Sequence, residues 1–229
     1  MRELLAASVL GAPHRDSTSG ARFAALVPSR SMPEPARKYR LPLFPLPVVL
    51  FPTAAMPLHV FEARYRRMVA RCLEYDKRFG LVYHDSDQQG PFLFEEGRVG
   101  CVAEIESFRP LPDGRSLLLA RGRERFRIVD GIESDEPYYE ALVTPYPDQG
   151  EALDLAVRRR RSLDLFHAVV EQLPEEPERL PELSPGGELS FPLARTIQVD
   201  APWQQSLLEL RREEERLDHL DRVFRAALA

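Results

Sequence analysis

A chain of 229 residues in which 44% of side chains are hydrophobic and 9% aromatic carries enough apolar material for a core of its own. Its formal charge of −5 excludes a global basic field drawing it to nucleic acid or anionic lipid, so any such contact has to be local. Residues 4–12 lack a basic leader beyond Arg2 and make a poor signal peptide. No later run approaches the roughly 20 apolar residues of a membrane span, so the expectation is a soluble, cytoplasmic protein with no membrane contact.

Residues 1–38 mix Ala, Ser, Arg and Pro without a sustained period and are expected to form a flexible N-terminal extension; Met32 is an alternative start. From Leu41 to Pro52 prolines recur inside an apolar run. Each fixes φ and removes a donor, which argues against a helix and against a central strand and predicts a bent edge strand. Phe61, Tyr65, Met68, Val69 and Cys72 then recur with helical spacing while arginines take the intervening positions, predicting an amphipathic helix of about four turns.

Beyond this helix the period drops to two. Residues 79–83 read as a short strand, and Val99, Cys101, Ala103 and Ile105 as one face of another. A turn at Pro112-Asp113-Gly114 leads into a returning strand over 116–120, which Gly122 is expected to break. Further strands are expected around Phe126 and Ile128 and over 138–144. Short strands at this spacing with one helix among them suggest a small closed or half-closed barrel.

After Gly150 the chain turns helical. Leu153, Val157, Leu163, Phe166, Val170 and Leu173 approximate one stripe, with Arg158 to Arg161 mostly on the other side as a solvated face. Prolines from Pro174 to Pro185 predict a stiff linker ending at Gly186-Gly187. A last helix is expected from Trp203 to Leu228, with Leu210, Leu217 and Phe224 seven apart and packed on a neighbour.

Several motifs together carry a family resemblance. They are Leu41-Pro42-Leu43-Phe44-Pro45-Leu46, Val49-Leu50-Phe51-Pro52 and the run Pro57-Leu58-His59-Val60-Phe61-Glu62-Ala63-Arg64-Tyr65-Arg66. In the same order follow Phe79-Gly80, residues 99–105, Asp113-Gly114-Arg115 and Gly122-Arg123-Glu124-Arg125-Phe126, and then the closing segment with Gln204, Gln205, Leu207 and Leu208. From Leu41 to Leu228 the chain resembles the N-terminal substrate-binding domain of Lon proteases, as a stand-alone member. It departs at Thr53, where the family usually places glycine.

The resemblance implies an α+β fold: a PUA-like small β-barrel with one inserted helix over residues 39–148, then a C-terminal helical subdomain over 149–229. It also implies a role in contacting unfolded or partner polypeptides, with His59, Phe61, Glu62, Arg64, Tyr65, Gly122, Arg125 and Phe126 as structural positions of the motif.

Catalysis is not expected. Only two lysines occur, Lys38 and Lys77, and neither follows glycine or precedes a hydroxyl residue as a phosphate-gripping loop requires. Neither suits a desolvated base for a Ser-Lys pair, and that peptidase unit belongs to a separate domain in the Lon family. His84, Asp85 and Asp87 match no strong metal pattern and read as a solvated turn, so neither metal nor cofactor is expected. Cys72 and Cys101, far apart and without CxxC spacing, read as buried reduced thiols.

The expected activity is therefore binding of exposed apolar polypeptide in a groove between barrel and helices. Phe44, Leu46, Phe51 and Leu58 are the candidate contacts, because they crowd a proline-rich segment that cannot join a full ladder. The alternative is RNA binding through Arg121, Arg123, Arg125 and Arg127, which share a strand face if Gly122 keeps the register; Glu104 and Glu106 are their possible cross-strand partners.

Overall fold

A computed structural model describes residues 37–172 and 183–229. The expected extension up to residue 36, the alternative start at Met32 and the prolines Pro174, Pro177 and Pro181 lie outside the described residues. The elements are β1 (Tyr39–Leu46), β2 (Ala55–Val60), α1 (Ala63–Glu74), β3 (Arg78–Tyr83), α2 (Ser86–Gln89), β4 (Val99–Pro110), β5 (Ser116–Gly131), β6 (Tyr139–Pro145), α3 (Leu155–Glu171), α4 (Ser190–Ala194), α5 (Ala201–Glu209) and α6 (Glu213–Ala227). The fold is mixed α+β, and no helix among the described residues is long and apolar enough to cross a membrane.

The sheet runs β2-β5-β4-β3-β1-β6, and β5 also pairs with β6. Hydrogen bonding therefore passes from β5 through β4, β3, β1 and β6 and returns to β5, with β2 hanging on the outside of that circuit. β5 serves both partners because it is 16 residues long: Ser116–Arg121 faces β2, and Phe126–Gly131 faces β6.

Two expectations need correction here. β1 is not an edge strand, since Tyr39–Leu43 pairs antiparallel with β6 and Leu43–Leu46 pairs parallel with β3. The offset explains how its prolines are tolerated: Pro42 faces only β6 and Pro45 only β3, so each sits where one side of the strand needs no donor. Gly122 does not break β5. It pairs with Ala103 and continues the ladder, while a register shift just beyond it is taken up in β5 itself, where Arg123 and Glu124 stand opposite the single residue Val102 of β4.

α1 packs on the sheet through Tyr65, Met68, Val69 and Cys72, four of the five positions of the sequence stripe; Phe61 precedes the helix. The α3 stripe differs from expectation. Leu155, Ser162 and Phe166 are its buried positions, whereas Leu153 and Val157 are exposed. Its arginine run is a solvated face only in part: Arg160 and Arg161 are exposed, but three of the four are paired. Arg158 pairs with Asp154 and Asp218, Arg159 with Glu213 and Arg161 with Asp221, which ties α3 to α6.

The expected single closing helix is two, α5 and α6, parted at Leu210–Arg212. Leu210 is extended, and the carbonyls of Leu208 and Leu210 accept hydrogen bonds from Arg125, so a side chain from β5 takes up acceptors that the end of α5 leaves open. One apolar cluster spans strands and helices, joining Phe51 on the strand side to Phe191, Leu208 and Phe224. A smaller one, with Leu41, Val82, Phe92 and Phe126, fills the other face of the sheet.

Candidate functional site

β2 is the outer strand, so one of its edges pairs with β5 and the other with no strand among the described residues. Unpaired backbone N–H and C=O groups along such an edge form a template for an added strand. The register sets the two surfaces beside it. Leu58 lies opposite Leu118, which lies opposite Phe108, whereas His59 lies opposite Leu117, which lies opposite Arg109.

Phe61, just past β2, is 60% exposed and Phe108 is 40% exposed; the His59 and Phe61 rings lie 5.7 Å apart. Between α1 and the β4–β5 hairpin is a groove of about 410 Å3 lined by Ala63, Arg66, Phe108 and Pro110 among others. Pro57, in the middle of β2, supplies no N–H, which limits how far a foreign strand can run along this edge.

The candidate contacts separate. Phe44 and Phe51 are each 4% exposed and belong to the main core, Phe44 against Tyr65 at 4.1 Å and Phe51 stacked on Phe191 at 5.4 Å. Leu46 and Leu58 are half-buried against that core and retain surface, and only Leu58 is on the open strand. Phe108 and the strand β2 escaped the sequence reading: alternation continued from Ile105 leads to Ser107 and Arg109, and only the register shift between Ile105 and Ser107 places Phe108 opposite Leu118.

Of the motif residues, Tyr65, Gly122, Arg125 and Phe126 are buried, whereas His59 and Phe61 are exposed. Glu62 sits at the start of α1 without capping it, and its carboxylate takes Arg64 Nε at 2.9 Å. Tyr65 is buried, and its desolvation pushes the hydroxyl up to about 12. At Gly122 a Cβ would come within 2.1 Å of the Phe51 carbonyl oxygen, so only glycine lets the 51–54 turn close on β5. Phe126 is fully buried in the smaller cluster.

Arg125 is buried with Arg216, which has 0% exposure, and both pair with Asp148. Burial pushes Arg125 down, offset by Asp148, yet a guanidinium stays charged. Arg216 also donates to Ser190 Oγ at 2.7 Å and the Leu210 carbonyl at 2.9 Å, and the Phe191 ring lies 4.3 Å from its guanidinium. A groove of about 270 Å3 between Pro52, Tyr146 and Phe191 overlies this cluster, where strands meet helices.

The arginines considered for RNA are largely engaged. Arg121 pairs with Glu106 and Arg123 with Glu104, holding both carboxyls below their usual range. Asp85 caps α2 by accepting from the backbone of Asp87 and Gln88, and His84 is buried with Nε2 2.8 Å from the Gly90 carbonyl. Cys72 and Cys101 are buried free thiols, each pushed by desolvation up to about 12.

Residues 40–222 match the family model for the substrate-binding domain of the ATP-dependent protease La (Lon). The chain belongs to this family. Lon protease 2 of Herpetosiphon aurantiacus is 31% identical over 203 residues, covering 82% of this chain and 24% of that protein. A LON peptidase N-terminal domain and RING finger protein of Schizosaccharomyces pombe is 37% identical over 103 residues, 39% of this chain and 21% of that one. The chain thus spans about a quarter of the length of these curated relatives.

Among solved structures, the Lon N-terminal domain protein from Xanthomonas campestris aligns with a TM-score of 0.56 at 24% identity, over 80% of this chain and 96% of that one. The N-terminal domain of Mycobacterium avium complex Lon protease aligns with a TM-score of 0.60 at 15% identity and the same coverages. Both show the Lon N-terminal fold.

Proposed function

We propose that this Lon substrate-binding domain is a non-catalytic polypeptide-binding module, that its closed circuit of strands is a small PUA-like barrel, and that extended, apolar segments add to the free edge of β2. The observation that carries this reading is the position of β2: an outer strand with one open edge, flanked by Leu58, Phe61 and Phe108, in a chain whose family binds substrate. An added strand would gain main-chain hydrogen bonds along Ala55–Val60. Its alternate side chains would meet the outward surface of His59 and Phe61 and the groove beside Phe108.

Such a module serves protein quality control, or acts as an adaptor that holds clients for a separate protease in the cytoplasm. Direct contact with Phe44 or Phe51 is no part of the proposal, because both are core residues. Fluorescently labelled, unfolded casein tests the reading when incubated with the full chain and ATP. Retention without cleavage is expected, with affinity reduced at least ~10-fold in a Leu58→Glu, Phe61→Glu double variant, since two apolar contacts are each worth about 1–2 kcal/mol. Peptide turnover, or equal retention by the variant, contradicts it. Salt-sensitive retention of RNA in place of casein would favour the arginine-based alternative.

A further inference from the structure

A second cleft lies away from β2. The segment between α2 and β4 is anchored at both ends: Phe92 is buried in the smaller core cluster, Gly97 N–H donates to the Ile128 carbonyl at 2.9 Å, and Arg98 donates to the Tyr83 carbonyl at 2.9 Å. Between these anchors Leu93 and Phe94 are held outward, 70% and 38% exposed. Phe94 lies directly on the backbone of Gly131, where an added Cβ would come within 2.6 Å of its ring. It meets Tyr139 edge to face at 5.9 Å and Phe92 at 5.5 Å.

Phe94, Tyr138 and Tyr139 line a cleft of about 430 Å3 together with Asp130 and Glu133. A register shift between Ile128 and Asp130 occurs where β5 reaches this cleft. Neither Asp130 nor Glu133 forms an ion pair among the described residues. The rings beside Phe94 already carry guanidinium groups, Arg98 at 5.3 Å from Phe92 and Arg64 at 5.6 Å from Tyr139, whereas Phe94 carries none among the described residues. An aromatic face with negative quadrupole and two uncompensated carboxylates suit a cation, and a flat one that stacks and bonds bidentately suits them better than an ammonium.

We propose that this cleft takes an arginine side chain of a bound polypeptide, its guanidinium over Phe94 and against Asp130 and Glu133. The proposal rests on the polypeptide-binding reading for the class of partner and shares no residue with the β2 edge, so either can fail alone. A short fluorescein-labelled peptide of Gly, Ser and Leu with one central arginine, and the same peptide with citrulline there, test it by anisotropy on the full chain. Citrulline keeps the shape and removes the charge.

The arginine peptide is expected to bind at least ~5-fold more tightly, a preference abolished in the Asp130→Asn, Glu133→Gln double variant. The citrulline comparison on the unaltered chain stands even if the variant folds poorly. Equal binding of the two peptides, a preference that survives in a folded variant, or equal binding of a lysine peptide overturns the proposal. If casein is retained through Leu58 and Phe61 while the arginine peptide is not bound, the cleft assignment falls and the β2 reading remains.

Discussion

At Thr53 a left-handed turn is held by a β-branched residue, with φ of 64°. Its backbone is fully used, N–H donating to the Gly122 carbonyl at 2.9 Å and C=O accepting from Arg121 at 3.0 Å, so the conformation is imposed by neighbours. A left-handed L-residue costs roughly 1–2 kcal/mol and glycine's extra chain entropy returns about half of that, so Thr53→Gly should stabilise the protein by about 1 kcal/mol in urea unfolding. Unchanged or lower stability would remove the strain argument. Glu140 supplies a pH test. Burial pushes its carboxyl up, but the Arg40 and Ser134 hydrogen bonds and the Arg40 charge outweigh this and hold it below its ordinary 4.5. The folded state thus binds fewer protons there than the unfolded chain, and the stability so gained is present above pH 4.5 and lost as pH falls below it. Glu140→Gln should be less stable at neutral pH and show a flatter acid limb in equilibrium unfolding from pH 7 to 3; parallel limbs would contradict this.

At the scale of elements, the strand-rich first half and helical second half were legible, because alternation in β4 and the stripe of α1 are local signals. The misread elements share a different origin. β1 with Pro42 and Pro45 is an inner strand because two partners meet it at offset positions, and the carbonyls at the break between α5 and α6 are taken up by Arg125 from a distant strand. Neither is encoded in a window of neighbouring residues. The same holds for the candidate site: Leu58, His59 and Phe61 could be singled out along the chain, but which strand ends outermost is a property of the pairing order. The Arg125–Asp148–Arg216 cluster pins the helices to the sheet, so its loss should uncouple them. Arg216→Met takes two donors from the partly exposed Asp148 and one each from the Leu210 carbonyl and Ser190 Oγ. We expect a loss of about 3 kcal/mol by denaturant titration, and a change under ~1 kcal/mol would show the cluster to be incidental.

For the whole molecule, two surfaces are offered on one frame: an apolar strand edge at β2 and an aromatic, acidic cleft beside Phe94. Both are proposed as contacts for an extended polypeptide, and the buried arginine cluster joins the strands to the helices on that frame. Backbone pairing reads no side chain, so affinity along β2 should be broad in sequence, with selectivity coming from Phe61, Phe108 and the separate cleft. Amide hydrogen exchange followed by mass spectrometry, with and without unfolded casein, tests the strand-addition claim most directly. Slowed exchange concentrated in peptides that cover residues 55–60 is the predicted result; casein binding that leaves those amides unchanged and protects another surface would contradict it.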